Sequence, residues 1–223
     1  MSQSTTKIEA LLFDLDGTLV DSAADFIFVL NNQRLKHGFD VLDDQSIRNT
    51  VSNGARALTK LAFGGSEGEE CFETYRTELL YEYMKVVGDH AKLFPSMNEV
   101  LLSCESQKIP WGIITNKPRK FSEELLIKLN LTTRCSLLLC ADDVAHPKPS
   151  PESMFVAAKK LGIQLENSVY VGDHERDIAS GNAANMITVA AEYGYIENKS
   201  EILEWRADHI IQHSSQLKQL FLA

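Results

Sequence analysis

The sequence predicts an α/β fold in which a parallel sheet core, flanked by helices, is interrupted by an all-helical insert. Three observations carry that expectation. From Phe94 onward, short apolar runs alternate with segments of helical period, the pattern that gives a parallel sheet with right-handed crossovers. An earlier run, Ile8 to Phe13, is continuously apolar, as a strand buried on both faces is. Between the two, Ala23 to Val87 carries helical periodicity. The implied organisation is an α/β core made of residues 1–21 and 93–223 with an all-helical insert over 22–92. At 223 residues and 44% hydrophobic composition, the chain can bury a centre for one large domain or for a core with a modest insert.

Taken in order, the first strand is followed by a helix over Ala23 to His37, where Phe26, Ile27, Leu30 and Leu35 recur at helical spacing and Gly38 supplies a stop. Asp43-Asp44 starts a second helix, and Ala55 to Phe63 and Glu69 to Val87 carry two more. Gly64-Gly65-Ser66-Glu67-Gly68 reads as the turn between them rather than as a phosphate loop, because no strand precedes it and no Lys follows. Strands are expected at Trp111 to Thr115, Leu137 to Cys140, Ser168 to Gly172 and Ile187 to Ala190, with a weaker one at His209 to Ile211. Helices fill the gaps at Ser96 to Gln107, Arg119 to Leu129, Pro151 to Leu161, Glu175 to Ala184 and from Ser214 onward.

A net charge of -9 argues against nucleic acid or an anionic membrane surface as a general partner, since both need basic footprints. No run has the apolar length of a bilayer span, and the polar start Met1 to Thr6 lacks the hydrophobic segment of a secretory signal, so cytoplasmic residence is the expectation. Cys71, Cys104, Cys135 and Cys140 show no paired metal-ligand spacing, and Cys104 and Cys140 lie in apolar surroundings. They read as ordinary thiols without chemistry.

The chemistry begins at Asp14-Leu15-Asp16-Gly17-Thr18-Leu19-Val20-Asp21-Ser22. If the first strand ends near Phe13, Asp14 and Asp16 stand at the carboxyl edge where open α/β sheets bind ligands. Side chains at i and i+2 point the same way, and Gly17 lets the chain turn sharply beneath them. Two converging carboxylates are costly unless a cation or proton lies between them. A hard ion such as Mg²⁺, which takes one or two carboxylates plus substrate phosphate, relieves that cost. A calcium-type loop would need further oxygen ligands at short spacing, and none follow.

This stretch resembles the first motif of the haloacid dehalogenase superfamily in its phosphatase form. The resemblance extends end to end and implies a Rossmann-like core with the first strand central beneath a helical cap. It implies that Asp14 is the nucleophile attacking phosphorus, and that Asp16 protonates the leaving oxygen and later activates water. Dehalogenases that share the fold lack an acid at the position of Asp16.

The remaining motifs follow the same strand-end logic. Ile113-Ile114-Thr115-Asn116-Lys117-Pro118 ends an apolar strand with a hydroxyl and an amide, then opens a helix whose free N–H groups favour anions. A plain helix N-cap would look similar away from a strand end. By resemblance Thr115 holds a phosphate oxygen, with Asn116 as a further donor. His146-Pro147-Lys148-Pro149-Ser150-Pro151 presents one ammonium from a stiff loop. Lys148 matches the third motif, which neutralises nucleophile and phosphate together. Asp142 and Asp143 precede that loop and decorate it, one of them being a candidate to orient Lys148.

Val169-Tyr170-Val171-Gly172-Asp173-His174-Glu175-Arg176-Asp177 repeats an acid after a strand and matches the fourth motif. Asp173 is expected to bind the metal directly, together with Asp14 and the backbone carbonyl of Asp16, while Asp177 and Gly172 support it. The family often has Ser or Thr where this chain has His174, which reads as a helix-start residue. In the insert, Ser52-Asn53-Gly54-Ala55-Arg56 suits either a helix start or a donor set, with Arg56 meeting a substrate carboxylate or sugar oxygens.

Among family branches the layout is similar to the phosphoglycolate phosphatases, which makes 2-phosphoglycolate the first expected substrate. Ser52 to Arg56, Trp111-Gly112, Tyr193-Gly194-Tyr195-Ile196 and Trp205-Arg206-Ala207-Asp208 also resemble the N-acetylmuramate 6-phosphate phosphatases of cell-wall recycling. Related sugar phosphomutases share the first motif. The resemblance therefore implies a Mg²⁺-dependent enzyme, monomeric or homodimeric, whose partner is a small phosphorylated metabolite.

Overall fold

The run Ala10-Leu11-Leu12-Phe13 forms strand β1 (Ala10–Phe13), in which no side chain has accessible surface. That burial is possible because β1 lies in the middle of a parallel sheet. A computed structural model describes residues 7–222; the polar start Met1 to Thr6 lies outside them. The strands after β1 are β2 (Val20–Asp21), β3 (Lys92–Leu93), β4 (Trp111–Ile114), β5 (Leu137–Leu139), β6 (Ser168–Gly172), β7 (Ile187–Ala191) and β8 (His209–Ile211). Six of them form one sheet in the order β5-β4-β1-β6-β7-β8, every pairing parallel.

Register decides what stands at the sheet's edge. Phe13 lies opposite Ile113 of β4 and Val171 of β6, so the three strands end nearly level. The residues just beyond them, Asp14, Thr115 and Asp173, therefore emerge side by side. The alternating faces of β1 feed separate cores: Leu11 and Phe13 join one apolar cluster, Ala10 and Leu12 the other. Truncating a side chain such as Leu12 to Ala in this setting costs ~2–5 kcal/mol.

The helices are α1 (Ala23–Lys36), α2 (Asp44–Thr50), α3 (Gly54–Phe63) and α4 (Glu70–Val86) between β2 and β3, then α5 (Met97–Ser106), α6 (Arg119–Lys128), α7 (Glu152–Leu161), α8 (Glu175–Ala183) and α9 (Gln216–Phe221). Asp43 caps α2 by accepting from the Ser46 N–H at 2.9 Å, the role its position before an apolar-periodic segment predicts. The larger core cluster runs without a break from Leu11 and Phe13 through Leu15 and Leu19 to Phe26, Leu58, Leu79 and Tyr83. Helices α1 to α4 thus share their apolar interior with one face of the sheet.

Element ends shift by a residue or two: Thr115 and Cys140 lie just past their strands, while Ser96 and Pro151 cap helices rather than begin them. One strand pairing goes unpredicted. Strands β2 and β3 pair antiparallel, Val20 with Leu93 and Asp21 with Lys92, where the chain enters and leaves the helical segment. Two residues are too short to carry a periodic signal. Beside this crossing, the buried carboxylate of Asp25 accepts the N–H groups of Gly88 and His90, each at 2.8 Å. Burial pushes its pKa up while those two donors oppose the shift. Cys104 and Cys140 are buried, and burial pushes their thiols up to about 12 and about 11, which keeps them protonated and inert. Among the described residues no helix is long and apolar enough to cross a membrane.

Candidate active site

At the end of β1 the Asp14 N–H donates to the Val171 carbonyl at 2.8 Å, which fixes the strand's exit against β6. Gly17 follows with φ +84, and a Cβ there would lie 2.2 Å from Asp173 Oδ2. Only glycine permits both the turn and the approach. Thr18 Oγ1 donates to Asp173 Oδ1 at 2.9 Å. Across the site, a Cβ on Gly172 would meet that of Asp177 at 2.2 Å, so the bare backbone of Gly172 lets the first turn of α8 fold back onto the strand end. Ligand atoms of Asp14, Asp173 and Asp177 lie within 4.8 Å of one another, all three residues buried.

Lys148 is the cation among these acids. Its three N–H donors are shared among four oxygens near Nζ: Asp14 Oδ1 at 2.8 Å, Asp177 Oδ1 at 2.7 Å, Tyr170 Oη at 2.8 Å and the Ile114 carbonyl at 2.9 Å. Burial favours the neutral amine, but Asp14 and Asp177 outweigh it and raise the Lys148 pKa, so the ammonium stays charged. One ammonium among three carboxylates leaves the cluster negative. Burial, then the charges of Asp14 and Asp177, pushes Asp173 up to about 7, the signature of an acid whose negative charge lacks a counterion. An all-oxygen, buried, net-negative cluster fits a hard divalent cation such as Mg²⁺.

Asp16 faces the same cavity from two residues further on. Lys117 Nζ donates to both its oxygens at 3.0 Å and to Tyr83 Oη of α4 at 2.9 Å, and Ser22 Oγ donates to Oδ1. Thr115 is buried, lines the cavity, and accepts the Lys117 N–H at 3.1 Å. Asn116 also lines the cavity, but both ends of its amide are committed to the Lys148 backbone: Nδ2 donates to the carbonyl at 2.9 Å and Oδ1 accepts the N–H at 3.1 Å. Its side chain thus clamps the Lys148 loop, and the second N–H of Nδ2 has no hydrogen-bond partner among the described residues. Asp142 and Asp143 do not orient Lys148. They accept from the Arg119 N–H and side chain, because the turn Ala141–Asp143 lies against the start of α6.

The helical segment closes the other side. Ser52 Oγ donates to Asp173 Oδ2 at 3.0 Å, and the Arg176 side chain donates to the Ser52 carbonyl. His174 is the N-cap of α8: Nδ1 accepts the Arg176 N–H at 3.2 Å, and Nε2 lies 3.1 Å from Asn53 Oδ1. Burial and then Arg176 pull its imidazole down to about 4, so the ring is neutral near pH 7 and the Nε2–H donates to Asn53. Arg56 lines the cavity from α3, half-turned to Glu67, whose carboxylate is 2.7 Å from its Nε. The cavity holds about 320 Å³. Asp14, Asp16, Thr115 and Lys148 line its inner end, Phe26, Leu80, Tyr83 and Phe121 supply apolar wall, and Arg56 and Arg76 stand on the helical side.

Among the site residues to which no motif assigns a role are Lys117, Tyr83 and Arg76, and Ser52 falls in a stretch read only as a helix start or a donor set. Lys117 follows the Thr115-Asn116 pair directly, a visible signal. Ser52 and Tyr83 reach the site from 121 and 34 residues away in sequence from their partners, a distance no local pattern bridges.

Fold and site together define an α/β protein that gathers acids and one lysine at the carboxyl ends of parallel strands. The chain belongs to the haloacid dehalogenase-like hydrolase family, which it matches over residues 11–191. It is 38% identical to the N-acetylmuramic acid 6-phosphate phosphatase of Pseudomonas putida over 96% of each chain. It is 37% identical to the phosphoglycolate phosphatase of Xanthomonas campestris, covering 93% of this chain and 94% of that one. A solved structure from Haemophilus somnus, described as a predicted phosphoglycolate phosphatase, superposes with a TM-score of 0.85 at 23% identity, over 97% of this chain and 99% of that one, and so shares the fold. Within the family the chain is a phosphatase, a phosphoric monoester hydrolase.

Proposed function

We propose that the protein hydrolyses a sugar-sized acidic phosphomonoester, N-acetylmuramate 6-phosphate, through an aspartyl-phosphate intermediate with Mg²⁺ as cofactor. The observation that carries the mechanism is Asp14: its carboxylate faces the cavity, one oxygen held by Lys148 at 2.8 Å. An Asp14 oxygen attacks phosphorus in line and the ester P–O bond breaks. Asp16 gives its proton to the departing alkoxide, then takes one from a water whose oxygen attacks the phosphorus, releasing phosphate and restoring Asp14. Thr115 and Lys148 donate to the phosphoryl oxygens in both steps, and Lys117 and Ser22 hold the Asp16 carboxyl in position. Asp14, Asp173 and the Asp16 backbone carbonyl, with Asp177 behind them, would hold Mg²⁺, whose positive charge would offset repulsion between carboxylate and phosphate dianion. Helices α1 to α4 act as the cap.

Cavity size supports the larger of the two named substrate types. About 320 Å³ falls at the lower end of the ~300–1,000 Å³ typical of sites for drug-sized ligands, far more than a two-carbon acid phosphate fills. The apolar wall of Phe26, Leu80 and Tyr83 suits the C–H face of a sugar ring. 2-Phosphoglycolate, the first expectation from sequence, remains the second reading on the strength of the Xanthomonas campestris relative. Side-by-side turnover decides: kcat/KM should be at least ~10-fold higher on N-acetylmuramate 6-phosphate, and a preference for 2-phosphoglycolate reverses the assignment. Free phosphate as sole product separates hydrolysis from a phosphomutase reaction.

A further inference from the structure

We propose that Arg76 of α4 selects substrates whose carboxylate lies across a hexose ring from the phosphate. The inference rests on the phosphatase reading above and adds to it a residue that fixes specificity. Arg76, Leu80 and Tyr83 all line the cavity and follow one another at i, i+4 and i+7, a single stripe of α4. Tyr83 marks the reacting end of that stripe, since its Oη accepts from the same Lys117 ammonium that holds Asp16. At 1.5 Å rise per residue, Arg76 stands ~10 Å further along the helix axis. It lies on the outer side, because the C-terminal end of α4 leads back to the sheet through β3.

The stripe is a ruler. A two-carbon acid phosphate carries its carboxylate on the carbon next to the ester oxygen and cannot span from Asp14 to Arg76. A hexose 6-phosphate bearing an acid ether on the opposite side of the ring can, with Leu80 and Tyr83 beneath the ring. Arg76 is suited to the acid by its planar fork, which pairs with a carboxylate through parallel N–H bonds. Glu73 engages Nε at 2.8 Å and Nη2 at 2.7 Å, while Nη1 has no hydrogen-bond partner among the described residues. Arg56 shares this rim: the Glu73 carboxyl is lowered first by its bond to Arg76 and the Gly68 N–H, and Arg56 adds to the effect.

The reading that Arg76 merely pairs with Glu73 on a helix surface predicts no dependence on substrate. The test compares kcat/KM for N-acetylmuramate 6-phosphate and for N-acetylglucosamine 6-phosphate, which lacks the acid ether, in wild type, Arg76→Gln and Arg76→Lys. Arg76→Gln should lower kcat/KM for the acid sugar ~10- to 100-fold more than for its neutral counterpart, chiefly through KM, as loss of a hydrogen-bonded charge pair does. Arg76→Lys should restore part of the difference. Equal losses on both sugars, or a wild type that does not prefer the acid sugar, overturn the role of Arg76. Wild-type turnover of 2-phosphoglycolate but of neither sugar instead overturns the substrate reading on which the role depends.

Discussion

At the scale of single residues, the site separates into groups that a strand end presents and groups that fold back to support them. Asp14, Asp16, Thr115, Lys148 and Asp173 are all legible in the sequence, because each closes an apolar run or sits in a proline-stiffened loop, and those local features imply exposure at one sheet edge. Lys117 is equally visible but carries no motif that assigns it a role. In the folded chain its ammonium is buried against Phe26 and Tyr83, 5.1 and 4.8 Å from their ring centroids, and both its hydrogen bonds to Asp16 are 3.0 Å long. Lys117→Met should therefore lower kcat about 10²-fold by letting the Asp16 carboxyl move, since ångström-scale misplacement of a reacting group costs that much, with a smaller change in KM. Steady-state kinetics check this, and kcat within ~3-fold of wild type would remove Lys117 from the machinery.

At the scale of elements, the hydrophobic pattern specifies strands and helices well because buried parallel strands read as continuous apolar runs and the helices carry their own stops, such as the turn after Lys36. It misses β2 and β3, whose pairing depends on a long excursion of chain rather than on local pattern. Among the helices, α1 and α4 are joined by Glu78, which accepts from the Lys36 ammonium, from Gln33 Nε2 at 3.0 Å and pairs with His37 at 2.6 Å. Burial works to raise its carboxyl, but those three partners overcome it and hold the pKa at about 2, below the usual 4.5. A depressed folded-state pKa adds stability that is present above pH ~4.5 and is lost as the pH falls toward ~2. Glu78→Gln should lower stability by ~1 kcal/mol at pH 7, discounted for the exposure of Lys36. That corresponds to ~2–4 °C in Tm for a chain of this size. Thermal melts should show the gap between the two proteins closing on acidification, and a gap that persists at pH 2 argues that Glu78 contributes packing instead of charge.

At the scale of the whole molecule, the site forms by convergence. Three parallel strands ending level, a lysine loop clamped by Asn116 and four helices sharing the core's interior bring acids, ammonium and cavity to one place. The choice of ligand is the least legible part of the sequence, because it depends on how α3 and α4 stand over the strand ends, and residues such as Arg76 carry no motif of their own. The proposed chemistry requires Asp14 to become covalently phosphorylated while a divalent cation balances the acids around it. It is read out by an acid-quenched turnover of N-acetylmuramate 6-phosphate with Mg²⁺, with the phosphoryl group located by peptide mass spectrometry in wild type, Asp16→Ala and Asp14→Asn. A phosphoryl adduct is expected on the Asp14 peptide, accumulating in Asp16→Ala, absent from Asp14→Asn and failing to form when the metal is chelated. Phosphate release by Asp14→Asn at wild-type rate, with no adduct in any of the three proteins, would contradict it.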